Sequence, residues 1–92
     1  MTEFHDRGAA LRAQAKALVF EFLEHHADAS PSGRGIRQAE ISRACGFDWG
    51  DFPKATSSNQ QYWTVALLKQ LEIEGKIMQV RESGPWRRVA LL

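Results

Sequence analysis

The first thirty residues carry apolar side chains at steps of three and four, which is the spacing of one helical face. This pattern predicts a helix over residues 6–28 whose inward stripe consists of Leu11, Ala15, Leu18, Val19 and Phe22. Another side of the same helix carries Ala13, Ala17 and Phe20 and would suit a partner helix. The stretch "DASPSGRG" then predicts a loop, because proline disfavours helix at the residue before it.

A short second helix is predicted over residues 38–45, after one extended residue, Ile36. Gly46 would end this helix, because glycine readily adopts the left-handed conformation that follows many helices. The side chains that the helix would bury are Ile41, Ala44 and Cys45.

A third helix is predicted over residues 59–74 and would stop at Gly75. Its inward stripe consists of Thr64, Leu67, Leu68 and Leu71. Its other sides are also partly apolar, through Tyr62, Trp63, Ala66 and Ile73. This helix therefore has more apolar circumference than a helix with a single buried face.

Two short strands end the chain, at residues 76–81 and 86–91. The turn formers Gly84 and Pro85 lie between them, which is typical of a β-hairpin. Trp86 is expected to pack beneath the hairpin as a cross-strand partner. The predicted fold class is mainly α with a small β-hairpin, in one domain spanning residues 1–92.

Composition and charge indicate an ordinary globular domain whose positive charge is concentrated near its C-terminal end. The chain has 92 residues, 43% of them hydrophobic and 25% charged, as in an ordinary soluble domain. The formal net charge is only +1, yet residues 76–92 carry four Lys or Arg against a single Glu. The positive excess therefore lies on the hairpin.

Several function classes are not expected. No apolar run approaches the roughly 20 residues that span a bilayer, and the N-terminus lacks a secretory apolar region, so we expect a cytoplasmic protein without membrane contact. Cys45 has no cysteine partner, which fits a reducing compartment. The histidines, at positions 5, 25 and 26, have no metal-ligand spacing, and no nucleophile and base stand at a catalytic spacing. We expect neither a cofactor nor a metal, and no enzymatic activity.

The order of elements resembles the winged-helix branch of the helix-turn-helix proteins. The stretch "GIRQAEISRACGF" is similar to the first half of a helix-turn-helix, and "VALLKQLEIEGKIMQV" is similar to a recognition helix that leads into a wing. The resemblance implies a three-helix core plus a two-stranded wing. The first helix would span 6–28, the helix-turn-helix 36–74 and the wing 76–91.

The resemblance also implies a function and a set of contacts. The protein would bind duplex DNA, sequence-specifically or generally, as a small transcriptional regulator or as the DNA-recognition subunit of an assembly. The wing contacts would be Arg81, Arg87 and Arg88. The recognition-helix contacts would be Asn59, Gln60, Gln61, Tyr62 and Lys69. Phosphate contacts would come from Arg37, Lys54, Ser57 and Ser58.

The chain departs from the family pattern between its second and third helices. Helix-turn-helix proteins join these helices by a few residues, whereas residues 46–58 intervene here and include Trp49 and Phe52. This aromatic insertion supports an alternative function, a winged-helix protein-interaction module or adaptor in a larger complex. A homodimer through the Ala13, Ala17 and Phe20 side of the first helix is compatible with either function.

Overall fold

The computed structural model describes residues 2–47 and 62–90. The helices are α1 (Thr2–Glu24), α2 (Gln38–Ala44) and α3 (Tyr62–Ile73), with a 3-10 turn (Ala27–Ala29) after α1. The strands β1 (Ile77–Gln79) and β2 (Trp86–Arg88) pair antiparallel, with Met78 opposite Arg87. The prediction of a mainly helical protein with a small hairpin is confirmed. No helix within the described ranges is long and apolar enough to cross a membrane.

The inward stripe predicted for α1 is partly wrong. Val19 and Leu23 are fully buried, whereas Leu11 and Leu18 are 66% and 44% exposed. The helix also begins before residue 6 and ends at Glu24, since the next residues turn into the 3-10 segment. The side chain of His26 stabilises that turn by accepting a hydrogen bond from the Asp28 N–H at 3.2 Å. Consequently only the C-terminal half of α1 contributes buried side chains to the core.

The crossing of α2 and α3 forms the centre of the core. The stripe predicted for α3 is confirmed, because Thr64, Leu67, Leu68 and Leu71 are all buried. In α2 the buried residues are Ile41 and Ser42, whereas Ala44 is exposed, contrary to the prediction. The Thr64 hydroxyl donates to the Ser42 hydroxyl at 3.4 Å, so two fully buried polar groups become partners where the helices meet.

The hairpin is joined to the chain ahead of α2 by a short antiparallel bridge. Ile36 and Trp86 exchange both backbone hydrogen bonds, each 2.8 Å long. Both side chains are 2% exposed and lie in the same core cluster as Ile77. The predictions that Ile36 is extended and that Trp86 packs beneath the hairpin are therefore confirmed. Each strand is three residues long, shorter than predicted.

An ion pair joins α1 to the end of α3. The Lys16 ammonium donates a hydrogen bond to the Glu74 carboxylate, and Lys76 lies 3.5 Å from the other oxygen of that carboxylate. The hydrogen bond from Lys16, followed by the charges of both lysines, lowers the pKa of Glu74. The folded protein therefore holds this carboxyl group ionised at a lower pH than the unfolded chain does.

We expect the Glu74→Gln variant to lose less stability on acidification than the wild type. Folding lowers the pKa of Glu74. The ionised carboxylate therefore stabilises the folded protein at pH values above the ordinary carboxyl pKa, and this stabilisation is lost as the pH falls through the pKa of the folded state. Urea unfolding between about pH 7 and about pH 3 measures this dependence. Glu24→Gln, which removes a carboxylate at the end of α1, is the control. Identical pH profiles for the two variants would contradict the linkage.

Gly35→Ala should destabilise the protein strongly. Gly35 has φ +93°, and an added Cβ would lie 2.7 Å from the Pro85 Cβ and 2.8 Å from the Val80 Cγ2. We expect a loss of about 2–4 kcal/mol, of which about 1–2 kcal/mol arises from the left-handed backbone and the rest from overpacking. Gly75→Ala is the matched control, because Gly75 has φ +77° but nothing within 4 Å of the added Cβ. Equal losses in urea unfolding would show that the contact with the hairpin is unimportant.

Candidate functional site

A groove of about 430 Å³ opens between the start of α2, the outer face of α3 and the hairpin turn. We call it the α2–α3–hairpin groove. None of the described residues that line it is acidic. They are Arg37, Gln38, Ala39, Val65, Lys69, Gln79, Ser83, Gly84 and Trp86.

The outer face of α3 forms one wall of the groove. Burial of Thr64, Leu68 and Leu71 turns the opposite side of the helix outward. At 100° per residue, Tyr62, Lys69 and Ile73 lie within about 40° of one another on that side. Tyr62 and Ile73 are 72% and 76% exposed. The predicted contacts Tyr62 and Lys69 therefore share one outward face.

Trp86 forms part of the groove and orients the amine of Lys69. The Lys69 Nζ lies 5.6 Å from the centroid of the Trp86 ring, within the range of a cation–π interaction. The same ammonium lies 3.5 Å from the Glu72 carboxylate, and the Lys69 side chain is 53% exposed. The ammonium thus lies between the Trp86 ring and the Glu72 carboxylate, on a side chain that is about half exposed.

The hairpin turn forms the opposite wall. The Gly84 N–H donates to the Arg81 carbonyl at 2.8 Å, and the Gln79 side-chain amide donates to the Gly84 carbonyl at 3.1 Å. Ser83 takes a positive φ of 57° to close the turn. A Cβ on Gly84 would lie 2.6 Å from the Arg81 Cγ, so the exposed Arg81 side chain begins next to the groove lining. These hydrogen bonds hold the backbone from which the exposed Arg81 side chain extends.

Arg37 completes the arrangement at the start of α2. It is exposed and has an extended backbone, with φ −71° and ψ 148°, immediately before the first helical residue. The structure therefore places three of the predicted DNA contacts, Arg37, Lys69 and Arg81, in or beside one groove. Gln79 and Ser83 also line it and were not predicted, since neither belongs to a charged or helical pattern.

The other two arginines of the hairpin contact the protein itself. The Arg87 Nη1 donates to the Gly33 carbonyl at 3.0 Å, and the Arg88 Nε donates to the Ala29 carbonyl at 3.3 Å. Both residues are half-buried, and the Nε of Arg87 is buried without a hydrogen-bond partner. Neither residue lines the α2–α3–hairpin groove. Both hold the loop after α1 against β2, and a contact of either with DNA stays a prediction.

Several of the predicted contacts lie outside the described residues. They are Lys54, Ser57, Ser58, Asn59, Gln60 and Gln61, together with Trp49 and Phe52 of the aromatic insertion. Near that segment, the Trp63 ring stacks on the buried Phe47 ring with centroids 4.2 Å apart. Trp63 nevertheless remains 38% exposed.

The side of α1 predicted to meet a partner helix is less open than expected. Phe20 is half-buried against the core, and the Lys76 Nζ lies 5.5 Å from the centroid of its ring. Ala13 and Ala17 are exposed beside it. The only large side chain of that surface is therefore already engaged within the protein.

No group of three or more His, Cys, Asp or Glu side chains in the described part of the chain could hold a metal ion. Burial raises the pKa of the Cys45 thiol, which favours its neutral form and lowers its reactivity.

Comparison with protein-family models, with curated proteins and with solved structures finds no match to this chain. Its function must therefore be argued from its own geometry.

Arg87→Ala and Arg88→Ala should each destabilise the protein, whereas Arg81→Ala should not. Each of the first two changes removes a charged donor from a backbone carbonyl, which we expect to reduce the free energy of unfolding by about 1–2 kcal/mol. Arg81 is exposed, so its replacement should change this free energy by less than about 0.5 kcal/mol. Urea unfolding compares three variants with the same change of charge. An equally large loss of unfolding free energy in Arg81→Ala would contradict the conclusion that Arg87 and Arg88 stabilise the fold and Arg81 does not.

Proposed function

We propose that this protein is a winged-helix domain that binds duplex DNA through the α2–α3–hairpin groove. In this role it would act as a small transcriptional regulator or as the DNA-recognition subunit of a larger assembly. The observation that carries the proposal is the position of Arg37 and Lys69 in the lining of one groove whose described lining is not acidic, with the exposed Arg81 next to that lining.

The order of elements supports the winged-helix part of the proposal. A helix is followed by the bridging residue Ile36, by two helices that cross, and by an antiparallel hairpin paired to Ile36 through Trp86. In this arrangement α3 would be the recognition helix and the hairpin the wing. The outward direction of Tyr62 and Lys69 fits that assignment.

Electrostatics supports the DNA part. Duplex DNA carries closely spaced phosphates with condensed counterions, and cations that neutralise phosphates release those counterions. Because the formal net charge is only +1, nonspecific attraction by the whole protein is weak. Binding would instead depend on the local group of Arg37, Lys69 and Arg81, since Arg87 and Arg88 are engaged with backbone carbonyls.

The proposal predicts a salt-dependent affinity with a defined slope. If the three groove cations each neutralise one phosphate, log K should fall with log salt with a slope of about −3. Lys69→Gln or Arg37→Gln should weaken binding to all duplex sequences and reduce the magnitude of the slope by about 1. Fluorescence anisotropy of a labelled duplex at several salt concentrations measures both quantities.

Lys76→Gln is the matched control for that experiment. It removes the same charge, but Lys76 lies near Phe20 and Glu74 and does not line the groove. We expect its affinity and slope to match those of the wild type. An affinity that does not change with salt, or equal losses in Lys69→Gln and Lys76→Gln, would contradict DNA binding at this groove.

The exposure of Tyr62 and Ile73 favours a second candidate function. Their 72% and 76% exposed side chains form an apolar surface on α3 that a protein partner could cover. A winged-helix interaction module or adaptor would use that surface. In that case the wild type and Lys69→Gln should bind duplex DNA equally weakly, which the same titration measures.

A further inference from the structure

A second apolar surface runs along α1 and is separate from the proposed DNA groove. Phe4, Leu11 and Leu18 recur at intervals of seven residues and are 61%, 66% and 44% exposed. Gly8, Ala15 and Phe22 each follow one of them by four residues. Spacings of four and three residues therefore alternate along α1, as they do between the a and d positions of a coiled coil. Phe4, Leu11 and Leu18 occupy the d positions.

The exposed d residues of the heptad surface lie outside the core-facing side of α1, whereas the a residues Ala15 and Phe22 are half-buried and border the core. At 100° per residue, the d residues lie about 60–100° around the helix from the fully buried Val19. Thr2 to Gly8 are all exposed, and an added Cβ on Gly8 would meet nothing within 4 Å. The first half of α1 therefore carries an apolar stripe with open space beside its small residue.

We propose that two copies of this chain associate through this surface, with their α1 helices antiparallel. In antiparallel coiled coils a residues meet d residues of the other helix. This places Leu18 against the partner's Gly8, and Leu11 against the partner's Ala15. Phe4 then meets the partner's Phe22. Large side chains thus face small ones over the middle of the interface, which favours close packing.

Charge complementarity favours the same orientation. The residues at g, on the side away from the core, are Arg7, Gln14 and Glu21. An antiparallel pair brings Arg7 near the partner's Glu21 and places the two Gln14 side chains together. A parallel pair would stack Gly8 on the partner's Gly8, leaving a gap, and would bring Arg7 near the partner's Arg12. On the opposite flank, at e, Arg12 would face the partner's Arg12, but it is exposed and lines the groove between α1 and α3, where solvent screens the two charges.

The length of the stripe limits the affinity. It extends from Phe4 to Phe22, which is fewer than the three or four heptads of a stable coiled coil. We therefore expect a dimer that dissociates on dilution. Its formation does not depend on DNA binding.

Sedimentation equilibrium over a range of protein concentrations tests the proposal. We expect the wild type to pass from monomer to dimer as concentration rises, and Phe4→Glu to remain monomeric over the same range. Ala10→Glu is the control, because Ala10 is exposed on α1 but lies about 80° or more around the helix from the heptad stripe. We expect it to dimerise like the wild type. A monomeric wild type, or equal disruption by Ala10→Glu, would overturn the proposal.

A charge reversal tests the orientation. Arg7→Glu should weaken the dimer several-fold by placing two carboxylates together, and adding Glu21→Arg should restore it. In a parallel dimer Arg7→Glu would instead strengthen association, through the partner's Arg12, and that result would overturn the antiparallel arrangement. Arg7 also lies 3.4 Å from Glu3, so urea unfolding of each variant must show a stable fold before the comparison is made.

Discussion

The backbone bridge between Ile36 and Trp86 sets the position of the hairpin against the helices. Its two 2.8 Å hydrogen bonds fasten the hairpin to the segment that leads into α2. Because both side chains are buried in the core, the bridge cannot shift by one residue without exposing them. The closeness of Gly35 to Pro85 and Val80 follows from it, as does the position of the hairpin turn across the groove from α3.

The bridge also places the arginines of the hairpin in two different environments, one against the protein and one in solvent. Arg87 and Arg88 follow Trp86 directly, so they lie over the loop after α1 and donate to its carbonyl groups. Arg81 precedes the turn and is exposed next to the groove lining. The exposed cations in or beside the groove therefore lie on three elements, with Arg37 before α2, Lys69 on α3 and Arg81 at the hairpin turn. Two of the three arginines of the hairpin, Arg87 and Arg88, thus stabilise the fold through contacts within the protein.

The helix α1 combines two surfaces with different roles. Its C-terminal half completes the core through Val19 and Leu23 and is tied to α3 by the ion pair of Lys16 and Glu74. Its N-terminal half exposes Phe4 and Leu11 on a heptad stripe. Packing of the C-terminal half stabilises the helix, while Phe4, Leu11 and Leu18 stay exposed along its length.

The elements and the inner face of α3 could be predicted because the apolar period and the glycines that end the helices are local properties of the chain. Thr64, Leu67, Leu68 and Leu71 could be assigned to the core from spacing alone, and Ile36 and Trp86 from their context. Spacing could not show which apolar residues of α1 face the body, since Leu11 and Val19 belong to adjoining stripes of one helix. Nor could it distinguish Arg81 from Arg88. That difference arises from long-range packing, which brings the carbonyls of Ala29 and Gly33 to the hairpin.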